Sequence, residues 1–122
     1  MNKMIQILIV EDEVLIAEWL KFQLEEEGYQ VYNYITTGEE TIEFVKKTKP
    51  DVILMDINLA GEIDGIKTAE EITKRSKIPI IFISGYEDSK IFEARKKIDP
   101  KMYLTKPVEM CDLKKIFDVL FK

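Results

Sequence analysis

Asp51-Val52-Ile53-Leu54-Met55-Asp56 is a short apolar run closed at both ends by an acid. Its hydrophobicity is continuous rather than alternating. That is the pattern of a strand covered on both faces, as strands of a parallel sheet are. Outward from it the pattern recurs over 4–10, 30–35, 79–84 and 102–104, with Ile7-Leu8-Ile9-Val10 and Ile80-Ile81-Phe82-Ile83 almost unbroken. Pro79 opens its run, where a missing N–H does least harm to a sheet.

Between these runs the apolar period changes to that of a helix. Leu15, Ile16, Trp19, Leu20 and Leu24 form one stripe, with Gly28 as its stop. A second helix fits 39–47, with Ile42, Phe44 and Val45 apolar and Pro50 beyond its end. Ile66, Ala69 and Ile72 mark a third. Asp88 caps a fourth, expected to run to about Lys97 with Pro100 closing it. Leu113, Ile116, Phe117, Leu120 and Phe121 stripe the last. Alternation of β and α predicts an α/β fold, a (βα)5 doubly wound parallel sheet of five strands. The order expected of such a flavodoxin-like sheet is 2-1-3-4-5, with the site at the carboxyl ends of strands one and three.

With 122 residues the chain is long enough for one domain, taken as 1–122, and no linker or low-complexity segment divides it. A net charge of −5 argues against direct nucleic-acid binding, which needs clustered cations. Nowhere does an apolar run approach the roughly 20 residues of a membrane span. The first residues lack the apolar core of a signal peptide, and the lone Cys111 cannot form an internal disulfide. A cytoplasmic location is expected. The absence of histidine removes Ser-His-Asp catalysis, His-ligated zinc and a histidine phosphoacceptor together. Any chemistry must run on carboxylates, hydroxyls and lysines.

Those groups stand just past the strands. Glu11-Asp12-Glu13 follows the first, Asp56 ends the third, Ser84 ends the fourth, and Thr105-Lys106-Pro107 follows the fifth. The expected strand order crowds Glu11, Asp12 and Asp56 at one rim, with Ser84 and Lys106 to one side. Crowded carboxylates repel and raise each other's pKa unless a hard cation sits among them. Oxygen donors with room for water suit Mg²⁺ best. A carboxylate nucleophile, a metal, a lysine and a hydroxyl form a set for phosphoryl transfer through an aspartyl-phosphate. Singly, each residue has a plainer reading: Asp12 as a helix cap, Ser84 as a turn residue, Lys106 as surface charge.

Taken together, Ile9-Val10-Glu11-Asp12-Glu13, 51–57, Asp64-Gly65, Ile83-Ser84-Gly85 and Leu104-Thr105-Lys106-Pro107 resemble the receiver domains of two-component signalling. The resemblance covers 4–121. It implies that Asp56 is the phosphoacceptor and that Asp12 and Asp56 bind Mg²⁺. It implies further that Glu11 acts through water and Asn58 offers its backbone carbonyl to the metal. Ser84 and Lys106 are implied to hold the phosphoryl group, the Lys106-Pro107 bond to be cis, and Tyr103 to switch with Ser84. The implied partners are a sensor histidine kinase or a histidine phosphotransfer protein, an unknown downstream target, and a phosphorylation-dependent second copy. The family's partner face would lie on the fourth helix, fifth strand and last helix, near Lys90, Ile91, Arg95 and Lys114, although solvated charge explains those residues more simply. A receiver assists its own phosphorylation yet is a signalling protein rather than a turnover enzyme. Departures from the pattern are an acidic pair of Glu11-Asp12 instead of two aspartates, and Tyr86, whose bulk is expected to shield the phosphoryl group.

Other readings are a receiver-like interaction module without phosphorylation, a flavodoxin-like cofactor binder and a haloacid-dehalogenase-type phosphatase. The first usually lacks the Asp or the Lys. The second needs a Gly/Ser/Thr-rich phosphate loop where Glu11-Asp12-Glu13 stands. The third wants an Asp-x-Asp pair after strand one, which Asp12-Glu13-Val14 does not supply.

Overall fold

In the computed structural model, which describes residues 4–85, 99 and 102–121, every apolar run becomes a strand. These are β1 (Gln6–Val10), β2 (Gln30–Ile35), β3 (Val52–Asp56), β4 (Ile80–Ser84) and β5 (Tyr103–Thr105). Helices α1 (Val14–Glu26), α2 (Gly38–Lys47) and α3 (Gly65–Thr73) follow the first three strands, and a C-terminal helix (Met110–Leu120) follows β5. All pairings are parallel and the order is β2-β1-β3-β4-β5, a flavodoxin-like, doubly wound sheet. The expected fourth helix, with Lys90, Ile91 and Arg95, falls outside the described residues.

Side chains alternate across each strand, which explains why its hydrophobicity had to be continuous. Ile7, Ile9, Val52, Leu54, Ile81 and Ile83 pack with Ala17, Leu20 and Leu24 of α1 and with Leu113 and Phe117 of the C-terminal helix. From the same strands Leu8, Val10, Ile53, Met55 and Ile80 pack with Val45 of α2 and with Ala69 and Ile72 of α3.

Helix ends follow the local sequence. Gly28 has φ +93°, its N–H donates to the Glu25 carbonyl, and the Tyr29 N–H donates to the Leu24 carbonyl. This pair of bonds is a Schellman ending, and glycine takes the left-handed position without strain. Thr37 caps α2 by accepting from the Glu40 N–H (3.2 Å), and Asp64 caps α3 by accepting from the Lys67 N–H (2.8 Å).

Two elements differ from expectation. The α1 stripe does not all face inward: Leu15 is 85% exposed and Trp19 59%, while Ala17 takes an inward position. Apolar residues cover more than half of this helix's circumference, so periodicity alone does not say which arc meets the sheet. The last strand runs one residue later than read, placing Thr105 opposite Ser84 and Lys106 immediately after the sheet. Among the described residues no helix is long and apolar enough to cross a membrane.

Candidate functional site: an acidic rim closed by a lysine

The carboxyl ends of β1, β3, β4 and β5 bring Glu11, Asp12, Asp56, Ser84 and Lys106 to one rim. The Glu11 N–H donates to the Ile35 carbonyl (2.9 Å), continuing the β1–β2 ladder, and the Glu13 N–H donates to Glu11 Oε2 (3.1 Å). Glu11 is 2% exposed and Asp56 4%. The Asn58 N–H donates to Asp56 Oδ1 (3.2 Å), fixing one carboxylate oxygen. Gly65 makes the tight return possible. Its N–H donates to the Ile57 carbonyl (2.8 Å), and a Cβ there would stand 2.1 Å from the Asp56 carbonyl oxygen.

Lys106 closes the rim. Its Nζ lies 2.6 Å from Glu11 Oε1 and 3.3 Å from Asp56 Oδ2. Its N–H donates to the Ser84 carbonyl (2.9 Å), and the Lys106-Pro107 bond is cis. Burial pushes the lysine toward neutrality, but bonds to Glu11 and the charge of Asp56 outweigh it and hold Lys106 above its ordinary 10.5. Burial, reinforced by Asp56, raises Glu11 above 4.5. Asp12 is raised above 3.8 by burial and by Glu11. For both acids burial is the leading cause and the neighbouring carboxylate the next.

Carboxylate oxygens of Glu11, Asp12 and Asp56 lie within 4.8 Å of one another. An all-oxygen set this tight, with surplus negative charge, fits a hard divalent cation. Ser84 adds a second indication of a binding site. Its Oγ is fully buried and has no hydrogen-bond partner among the described residues. Native proteins rarely leave such a group unpaired without a use for it.

A model of the response regulator receiver domain matches residues 7–118, nearly the whole chain. The chain belongs to the response regulator receiver family. This receiver is 33% identical over 108 residues to the transcriptional regulatory protein PdtaR of Mycobacterium tuberculosis, covering 88% of this chain and 52% of that one. It therefore spans about half the length of the curated relatives it matches. Among solved structures it resembles the signal receiver domain of a modulated diguanylate cyclase from Desulfovibrio desulfuricans G20. There the TM-score is 0.86 and the identity 36%, covering 97% of this chain and 94% of that one. A CheY-like receiver domain from Methylobacillus flagellatus matches with a TM-score of 0.81 and 26% identity, covering 97% and 99%.

Within the receiver, the other residues read from sequence have definite places. Asn58 is exposed at the start of the β3–α3 loop. Tyr103 is half-buried on β5, opposite Phe82 and packed against Ile57. Tyr86 lies outside the described residues. Glu11, which the resemblance implies to act through water, reaches Lys106 directly and more closely than Asp56 does. Sequence reasoning gave Glu39 no role, yet its carboxylate accepts from the Ile63 N–H in the loop that carries Asn58 (3.2 Å). An acid in the first turn of a helix is too ordinary a feature to signal that bond. Beside the rim, Ile16, Trp19, Leu20, Lys106, Pro107 and Val108 line a cavity of about 250 Å³ between α1 and the segment that follows β5.

Proposed function

We propose that this receiver takes a phosphoryl group from a phosphohistidine onto Asp56 and so switches its surface toward a downstream partner. The observation that carries the reading is the buried Ser84 hydroxyl, without a partner among the described residues and one strand over from an Asp56 carboxylate already paired with Lys106. An Asp56 oxygen attacks phosphorus in line, the P–N bond breaks, and the imidazole leaves with its electron pair. Lys106 exchanges a carboxylate for an equatorial phosphoryl oxygen, and Ser84 donates its proton to another. Asp12, Asp56, the Asn58 carbonyl and, through water, Glu11 would hold Mg²⁺, which when bound offsets the remaining charge.

Drawn toward the phosphoryl group, Ser84 vacates space into which Tyr103 turns. Phosphate contacts then favour one of two packings of β4 and β5. The protein acts as a cytoplasmic signalling component rather than a turnover enzyme. Its phosphodonor is a sensor histidine kinase or a histidine phosphotransfer protein. Such a donor has an apolar surface to rest on: Leu15, Trp19 and Phe22 are exposed on α1, with the two aromatic rings stacked 6.2 Å apart and Trp19 lining a cavity with Lys106. A downstream target or a second, phosphorylated copy would read the switched face.

The decisive test is incubation with acetyl phosphate and MgCl₂ followed by intact mass. The parent is expected to gain one phosphoryl group. Asp56→Asn, or the parent with EDTA, is expected to gain none. A parent that gains none, and that also fails to bind beryllofluoride with its fold intact, would leave an interaction module instead.

A further inference from the structure

We propose that Glu39 is a positioning residue for the phosphoacceptor loop, holding residues 57–64 from across α2 so that Asn58 stays fixed beside Asp56. This rests on the reading of the site above. The loop's base is closed by the Gly65 N–H to Ile57 carbonyl bond (2.8 Å), and its first residues are tied by the Asn58 N–H to Asp56 Oδ1 bond (3.2 Å). Its far side is held instead by the N-terminus of α2. Thr37 forms an isolated parallel bridge with Ala60, and Glu39 Oε1 accepts from the Ile63 N–H at 3.2 Å. Gly61 lies against the same carboxylate with φ +100°, and a Cβ there would stand 2.7 Å from Glu39 Oε2. Both the left-handed backbone and the close approach call for glycine at that point.

An exposed acid in a first helical turn ordinarily needs only water and the helix dipole. Here the side chain crosses to another segment, and among the described residues no cation pairs with it. The bond to the loop is therefore what orients it. Mg²⁺ tolerates little departure from octahedral geometry. A loop that supplies one ligand from its backbone and flanks another must be held to within about half an ångström. Glu39 supplies that restraint from outside the site, without touching metal or phosphate.

The test measures Mg²⁺ binding by calorimetry, with amide hydrogen exchange over 57–64, in the parent, Glu39→Ala, Glu39→Gln and Asp12→Asn. Glu39→Ala is expected to weaken Mg²⁺ binding roughly three- to tenfold, the scale of one lost hydrogen bond, and to speed exchange at Ile63. Glu39→Gln keeps an acceptor oxygen and should restore most of both. Faster exchange in Glu39→Ala with unchanged affinity would overturn the proposal, because the site would then be indifferent to the brace. Equal weakening in Glu39→Gln would overturn it too, by showing a charge acting at a distance. Absence of Mg²⁺ binding by the parent, or binding unaffected by Asp12→Asn, would overturn the site reading and the brace with it.

Discussion

Asp12, Glu11 and Lys106 each contribute to the pH dependence of stability. Both acids have folded pKa values above their ordinary 3.8 and 4.5. The folded state thus holds their protons more tightly than the unfolded chain does, and stability falls as pH rises upward from those values. Lys106 is raised in the opposite sense of charge. Its contribution is complete below 10.5 and is lost only as pH climbs through its higher folded value. Asp12→Asn removes one repelling carboxylate, so without metal it should melt slightly higher than the parent, by a margin that solvent screening of this partly exposed group keeps small. The gap should widen as pH rises above the ordinary carboxylate range in a series of thermal melts. Lys106→Met should do the reverse, because it strands Glu11 and Asp56 at 2% and 4% exposure. Its expected cost is about 3 kcal/mol near pH 8, and less near pH 5, because burial, which raises Glu11, favours its neutral form as pH falls. Urea denaturation at the two pH values measures the difference.

Whole elements were more legible than individual contacts. Continuous apolar runs could be read as strands because covering a sheet on both faces leaves no alternation. The rim was legible because an acid or a lysine directly after such a run must stand at a strand end. Less of α1 could be read: Leu15, Trp19 and Phe22 are as apolar as the residues that do pack, and small Ala17 gives no signal of its inward position. Nor does sequence register the direct Glu11–Lys106 contact or the reach of Glu39, which depend on side-chain paths across separate elements. The β3-to-α3 return makes its own prediction. In Gly65→Ala the new methyl would meet the Asp56 carbonyl oxygen, a backbone atom that cannot swing aside. Overpacking there should cost about 2 kcal/mol in urea denaturation and also slow phosphorylation by acetyl phosphate, since Asp56 itself must shift. Gly38→Ala would set its methyl against Thr68 Oγ1 and against Ile63 of the loop that Glu39 holds, so it should destabilise the fold and disturb that loop as well.

Across the whole molecule the β2-β1-β3-β4-β5 order gathers residues 11 to 106 into one rim, so binding there couples to global stability. A ligand that binds only the folded chain adds RT ln(1 + [L]/Kd). MgCl₂ at ten times its Kd should therefore raise the unfolding free energy by about 1.4 kcal/mol. The increment should vanish in Asp12→Asn, a comparison made by denaturant titration with and without the salt. Geometry also hands the experimenter an instrument. Trp19 is the chain's single tryptophan, and it lines the same cavity as Lys106 and Pro107. On the proposed mechanism Lys106 leaves a carboxylate for a phosphoryl oxygen, and the indole's surroundings should change with it. Ultraviolet emission from one native ring would then serve as a label-free clock for the arrival and departure of phosphate.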